Sequence, residues 1–320
     1  MRRVDVFNGD ADGVCALHQL RLADPVTSTL VTGVKRDIKL LDQVQAGAGD
    51  HVTVLDISLD SNRMGLMRLL EAGAQIEYFD HHHAGEIPRH PKLSTHIDLA
   101  ATVCTSILVD RHLNGKHRLW AITAAFGDNM EKSARTLATT EGLDEAHLLK
   151  LARLGECLNY NGYGDTLADL HFHPAQLYAE IKPYADPLQF IETSPAFAKL
   201  EAGLREDTTF ANALKPYQED AHFAAYVMPD AAWARRISGV FANRLATENK
   251  SCAHAVFTTN QYGDYTVSVR APLSNLQGAD TLCLKFETGG GRKGAAGVNR
   301  LPVHELERFL ASFKAQFSEH

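Results

Sequence analysis

The residues best suited to chemistry come in short clusters. Asp10 and Asp12 stand two apart in NGDADG, with Asn8 at its start. Asp56 lies in LDIS, Asp80, His81, His82 and His83 run consecutively in YFDHHHAG, and Asp128 lies in FGDN. Carboxylates gathered in one cleft repel, and each uncompensated buried charge costs on the order of several kcal/mol. Divalent cations remove that cost. Carboxylates mixed with imidazoles suit Mn²⁺, Fe²⁺, Co²⁺ or Zn²⁺ better than Ca²⁺. One acid bridging two such ions, about 3.5–4 Å apart, would make a centre for attack on phosphorus. Far downstream, GGGRKGAAG and SVRAP offer complementary chemistry. Gly289, Gly290 and Gly291 would let backbone N–H groups approach a phosphate, and Arg270 and Arg292 would add guanidinium charge.

The pattern around these clusters says what must position them. Alternation predicts a strand over 2–7, and Val14, Leu17, Leu20 and Leu22 make one apolar side of a helix over 12–22. Further strands are predicted over 28–34, 52–57 and 76–79, with a short helix over 38–45. A helix over 61–72 turns Met64, Leu66, Met67, Leu69 and Leu70 inward and stops at Gly73. Strands alternating with helices predict an α/β fold, a mostly parallel sheet covered on both faces. NGDADG, LDIS and DHHH then all fall at carboxyl ends of strands, where such sheets bind ligands.

From 102 to about 184 the pattern is helical. Two prolines in 184–195 break it, so a domain over 1–185, a linker over 186–200 and a smaller α/β domain over 201–320 are predicted. The second domain reads as strands over 222–227, 253–258 and 265–269, a helix over 231–247, a glycine-rich loop and a closing helix over 303–317.

Each cluster alone has an ordinary explanation. An Asp at a helix start is usually an N-cap, which covers Asp12 or Asp56 taken singly. Three histidines can be an exposed loop, and a glycine run can be mere slack. What sets them apart is their convergence on one sheet edge. Lys35 and Arg36 follow a strand end, which could bring them near the cleft, but solvated surface is the better reading. Trp120 and Trp233 read as core.

Bulk properties narrow the classes. The chain has 320 residues, 45% hydrophobic and 22% charged, as in ordinary globular proteins. No apolar run of about 18 residues marks a membrane span, and the polar start MRRVDVFNGDADG lacks a secretory core, so a cytoplasmic location is expected. The five cysteines form no CxxC pair and read as reduced thiols. A net charge of −7 argues against wrapping a long duplex, while leaving room for a small phosphorylated substrate.

NGDADG, LDIS, DHH and GDN, in this order and spacing, resemble the four motifs of the DHH phosphoesterase superfamily. SVRAP and GGGRKGAAG resemble its DHH-associated C-terminal domain, so the resemblance covers nearly the whole chain. It implies an active site in the cleft between two domains and two divalent ions, Mn²⁺ foremost. Asp10 and Asp56 would hold one ion. Asp12, Asp56, His81 and Asp128 would hold the other. His82 would face a phosphate, Asp80 would orient a histidine, and His83 has no role. Many members carry a histidine four residues before the first Asp. Here that position is Val6, so Asn8 or water would complete the first ion's shell. An exonuclease branch lacks it too. Members usually have histidine after the three glycines, where this chain has Arg292.

By the same resemblance the chain would hydrolyse short oligoribonucleotides, linear dinucleotides such as pGpG from cyclic-di-GMP turnover first among them, as a nanoRNase. Alternatives are a cyclic dinucleotide phosphodiesterase, a phosphatase of 3′-phosphoadenosine-5′-phosphate, a single-strand exonuclease and a polyphosphate or pyrophosphate hydrolase. A nucleotide-binding sensor is the alternative without catalysis. Members often form homodimers.

Overall fold

A computed structural model describes residues 1–318. The chain divides into two units, 1–162 with 170–202, and 163–169 with 203–320.

The first unit is built on strands β1 (Arg3–Phe7), β2 (Thr29–Thr32), β3 (His51–Leu55), β4 (Gln75–Asp80) and β5 (Leu93–Ile97). They form one sheet in the order β2-β1-β3-β4-β5, and every pairing is parallel. The order reverses between β1 and β3, which opens a crevice at their carboxyl ends. Its helices are α1 (Ala11–Ala23), α2 (Arg63–Glu71), α3 (Thr105–His112), α4 (Arg118–Gly127), α5 (Glu131–Glu141), α6 (Glu145–Gly162), α7 (Pro174–Ile181) and α8 (Pro187–Thr193). Side chains alternate along the strands. Val4, Val6, Val52, Val54, Ile76 and Tyr78 pack with Leu66, Leu69 and Leu70 of α2 on one face. On β1, Asp5 and Phe7 point the other way: Arg21 of α1 forks onto Asp5, and Phe7 meets Tyr178 of α7.

α9 (Pro195–Asn212) leads into the second unit. There β6 (Gln218–Glu219), β7 (Phe223–Val227), β8 (Ala253–Thr259), β9 (Tyr265–Arg270), β10 (Gly289–Arg292) and β11 (Ala295–Leu301) form a mixed sheet ordered β10-β11-β9-β8-β7-β6. One face packs on α11 (Ala279–Cys283) and α12 (Leu306–Phe317), where Phe257, Phe286, Phe309 and Phe313 form an aromatic cluster. α10 (Ala232–Glu248) bears on β8 and β9.

The architecture is α/β as expected, with local departures. Most of the segment 186–200 is helix, broken at Ser194, because Pro187 and Pro195 supply the fixed φ that opens α8 and α9. Met64 is 82% exposed, since the short α2 buries only Gly65, Leu66, Leu69 and Leu70. The glycine run is not a loop: Gly289–Arg292 is the edge strand β10, paired antiparallel with β11. The five cysteines are buried free thiols, and no helix among the described residues is long and apolar enough to cross a membrane.

One buried group gives the fold a pH dependence. His18 of α1 is fully buried, edge-on to Trp120, with Nε2 at 2.7 Å from the Tyr184 carbonyl oxygen. Burial lowers its pKa from the ordinary 6.5 to about 4. Between those two values the unfolded chain takes up a proton here that the folded chain refuses. Stability is therefore expected to fall as pH drops through that window, by up to about 3 kcal/mol for this group. Denaturant titrations at pH 7 and 4.5 read the effect. The slope should flatten in His18→Gln, and an unchanged slope would acquit His18.

Candidate metal centre

The site is assembled at the carboxyl ends of β1, β3 and β4, as the sheet order requires. Asn8 N donates to the Leu55 carbonyl and Asp56 N to the Phe79 carbonyl, which extends the strand ladder into both acidic turns. Gly13 is needed for close approach rather than for a bend: a Cβ there would lie 2.2 Å from the Asn8 carbonyl oxygen. Asp56 sits at φ +62°, a conformation costly for residues other than Gly, Asn and Asp. Asn129 at φ +60° turns the chain out of α4 immediately after Asp128. It does not cap α5, whose preceding residue is Met130.

The two acids of NGDADG do different work. Asp10 is the N-cap of α1: its Oδ1 accepts from Asp12 N at 3.0 Å and Gly13 N at 3.2 Å. Asp12 reaches across to the start of α3, its two oxygens each accepting a backbone N–H, from Thr105 and Ser106, both at 2.7 Å. Asp56 caps nothing. Its Oδ1 accepts from Thr105 Oγ1 at 3.1 Å.

His81 is the hub. Its Nε2 lies 3.5 Å from Asp56 Oδ1, 3.8 Å from Asp128 Oδ2 and 3.9 Å from Asp12 Oδ2. The donor atoms of Asp12, His81 and Asp128 lie within 4.8 Å of one another, as do those of Asp56, His81 and His82. His82 Nδ1 is 2.7 Å from Asp80 Oδ1. Asp80 is fully buried and its Oδ2 has no hydrogen-bond partner. His83 is exposed, and its carbonyl accepts from Ser58 Oγ.

The electrostatics ask for a cation. Burial, then the charges of Asp12, Asp10 and Asp128, push the Asp56 carboxyl well above the usual carboxylate range. Burial likewise raises Asp128. Asp10 goes the other way: burial works to raise it, but the charge and hydrogen bond of Lys35 prevail and hold it low. His82 is raised: desolvation works to lower it, but the hydrogen bond to Asp80 and the charges of Asp80, Asp128 and Asp10 together prevail. Buried acids that repel each other around an imidazole are the donor set a divalent transition ion satisfies. Asp12, His81 and Asp128 fit such an ion, and Asp56 stands beside them, its Oδ1 3.5 Å from the same His81 nitrogen.

Lys35 is the residue that sequence reasoning missed. Its Nζ lies 2.5 Å from Asp10 Oδ2, 3.0 Å from Asn159 Oδ1 and 3.8 Å from Asp128 Oδ1. It follows the edge strand β2, and only the β2-β1 pairing brings it to Asp10. Asn8 is a brace between them: Oδ1 accepts from Asp10 N, and Nδ2 donates to the Lys35 carbonyl.

In the second unit, Arg270 stands opposite Ala295, and Ala295 opposite Arg292. Directly paired residues share a sheet face, so both arginines lie on one row. Arg270 Nε donates to Asn243 Oδ1 of α10 at 2.7 Å. Gly289 is needed for packing, since a Cβ would lie 1.8 Å from the Cys283 carbonyl oxygen. Beside Gly290 the space is open, and Gly291 has φ +138°.

No family model matches the chain, and no curated protein does. Solved structures do. The chain is similar to RecJ from Thermus thermophilus in complex with Mn²⁺, with TM-score 0.65 and 17% identity, over 98% of this chain and 52% of that one. It therefore spans about half the length of that relative. An exonuclease RecJ bound to manganese gives TM-score 0.60 and 17% identity, over 100% of this chain and 91% of the other. The pGpG-specific phosphodiesterase PggH from Vibrio cholerae gives 0.54 and 14%, over 99% and 98%. At these identities the likeness shows the fold alone, α/β in both units. More particularly, it is the DHH-type fold of RecJ and PggH.

Proposed function

We propose that the chain is a metal-dependent phosphodiesterase that cleaves short linear oligoribonucleotides, pGpG-type dinucleotides foremost, to mononucleotides in the cytoplasm. The observation that carries this is the ring of Asp12, Asp56 and Asp128 around His81 at the carboxyl edge of a DHH-type sheet. Likeness to PggH along nearly all of both chains supports the dinucleotide. The net charge of −7 disfavours a long strand.

Asp12, Asp56, His81 and Asp128 would hold the ion, with Mn²⁺ favoured. When bound, it supplies Lewis acidity and a water that ionises near neutral pH. The chain's own groups do the rest. Asp80 grips His82 at Nδ1, which fixes the ring and leaves Nε2 for a nonbridging phosphoryl oxygen. The raised pKa keeps that nitrogen protonated more of the time, so it donates a charge-assisted hydrogen bond as negative charge grows on the phosphoryl group. Arg270 and Arg292, with the thin backbone at Gly289, Gly290 and Gly291, are proposed to hold the substrate's phosphate.

A panel of 5′-phosphorylated di-, tri- and longer RNAs, cyclic dinucleotides and pyrophosphate, each with Mn²⁺, tests the reading. Dinucleotide cleavage is expected to have the highest kcat/KM. An intact dinucleotide alongside cleavage of another member would overturn it. Arg270→Ala is expected to raise KM by about 10-fold or more, as a lost charged hydrogen bond does. Unchanged kinetics would remove Arg270 from the site.

A further inference from the structure

The acid cluster is not symmetric. Asp12, Asp56 and Asp128 Oδ2 ring His81. Asp10, the remaining acid, is held from both sides. Its Oδ1 takes two N–H groups of α1, and its Oδ2 takes the Lys35 ammonium at 2.5 Å. Lys35 is not a chance visitor. Its N–H donates to the Gly162 carbonyl at 2.8 Å, its carbonyl accepts from Asn8, and Asn159 Oδ1 orients its Nζ. Val6, four residues before Asp10, is fully buried in the apolar layer under the sheet and offers Asp10 no further ligand.

Charge counting points the same way. With Asp80 set apart on its own partner His82, Asp10, Asp12, Asp56 and Asp128 carry −4 when ionised, and Lys35 brings this to −3 (−4 + 1). One divalent ion leaves −1. A second would leave +1, and would place a dication on an acid already in contact with an ammonium group, where like charges repel.

We infer that the Lys35 ammonium is the fixed cation of the Asp10 half of the cluster, and that the chain takes one divalent ion, on Asp12, Asp56, His81 and Asp128, rather than two. This rests on the metal-dependent reading above. It makes Lys35 a positioning residue: it holds Asp10 and lies 3.8 Å from Asp128 Oδ1, while His81 lies by Oδ2.

The test is the ion count on the full-length protein, by calorimetric titration with Mn²⁺ and by low-temperature electron paramagnetic resonance. Glu77, His96 and His112 bring three further donor atoms within 4.8 Å of one another. All proteins therefore carry His112→Ala, which breaks that set. With Lys35 present, one Mn²⁺ per chain is expected, with the six-line signal of an isolated ion. Lys35→Met is expected to take two, with an exchange-coupled signal. Two ions with Lys35 present, or a Lys35→Met protein that still takes one, would overturn the inference. The outcomes separate from those of the substrate panel. A chain that binds one ion and cleaves no phosphodiester keeps this inference and loses the activity. One that binds two and cleaves dinucleotides does the reverse.

Discussion

Asp56→Asn is expected to move activity and stability in opposite directions. Hydrolysis with Mn²⁺ should drop by about 10²–10³-fold or more, the scale seen when a preorganised charge at a reacting centre is removed. The folded metal-free protein should gain on the order of 1 kcal/mol. The reasons are on one side chain. Asp56 is buried beside Asp12, Asp10 and Asp128, and its carboxyl is driven well above the usual range by burial and by their charge. Asparagine keeps the shape and sheds the charge. It also tolerates φ +62°. Thermal melts without metal and initial rates with metal measure the two halves. A destabilised variant, or one with undiminished turnover, would remove Asp56 from the centre.

Arg21→Met is expected to cost about 3–5 kcal/mol without touching the acid cluster. Arg21 Nε and Nη2 grip the two oxygens of Asp5 at 2.9 and 2.5 Å, and Nη2 also donates to Thr53 Oγ1 at 3.1 Å. Ser28 Oγ donates to the same carboxylate at 2.6 Å. Both charged side chains are nearly inaccessible, 7% and 1% exposed. Removing the guanidinium strands a carboxylate inside the unit. Denaturant titrations of the variant and the wild type read the deficit, and a loss under about 1 kcal/mol would show that the pair behaves as an exposed one. Asp5→Leu combined with Arg21→Met should recover much of the loss, because neither charge is then left alone.

Much of the candidate site was legible because three of its motifs lie at the ends of strands, while Asp128 follows helix α4. Asp10, Asp12, Asp56 and His81 follow β1, β3 and β4, and these three strands are neighbours in the parallel sheet, which brings their carboxyl ends together. Lys35 was not legible. It meets Asp10 only because β2 pairs with β1, and nothing local to residues 28–36 says which neighbour that strand will take. β5 went unread because its side chains are only half-buried and its run LSTHI has no apolar stripe. The glycine run looked like slack because glycine has poor strand propensity. Tertiary contact decides it: at Gly289 and Gly297 an added Cβ would meet the carbonyl oxygens of Cys283 and Val267 at 1.8 and 2.5 Å. Asp12 looked like a helix cap and is one, but of α3, 93 residues away.

That long-range cap bears on how decay of the proposed activity would show itself in descendants of this chain. Asp12 holds two backbone N–H groups of α3 whether or not a substrate is ever turned over. A lineage that abandoned catalysis would still be selected to keep it, as part of the scaffold. Asp56 offers the scaffold little beyond its bond from Thr105, and it carries backbone strain and repulsion. It is the acid that drift would discard first. A surviving NGDADG is therefore poor testimony for a working enzyme, and an aspartate at position 56 is good testimony.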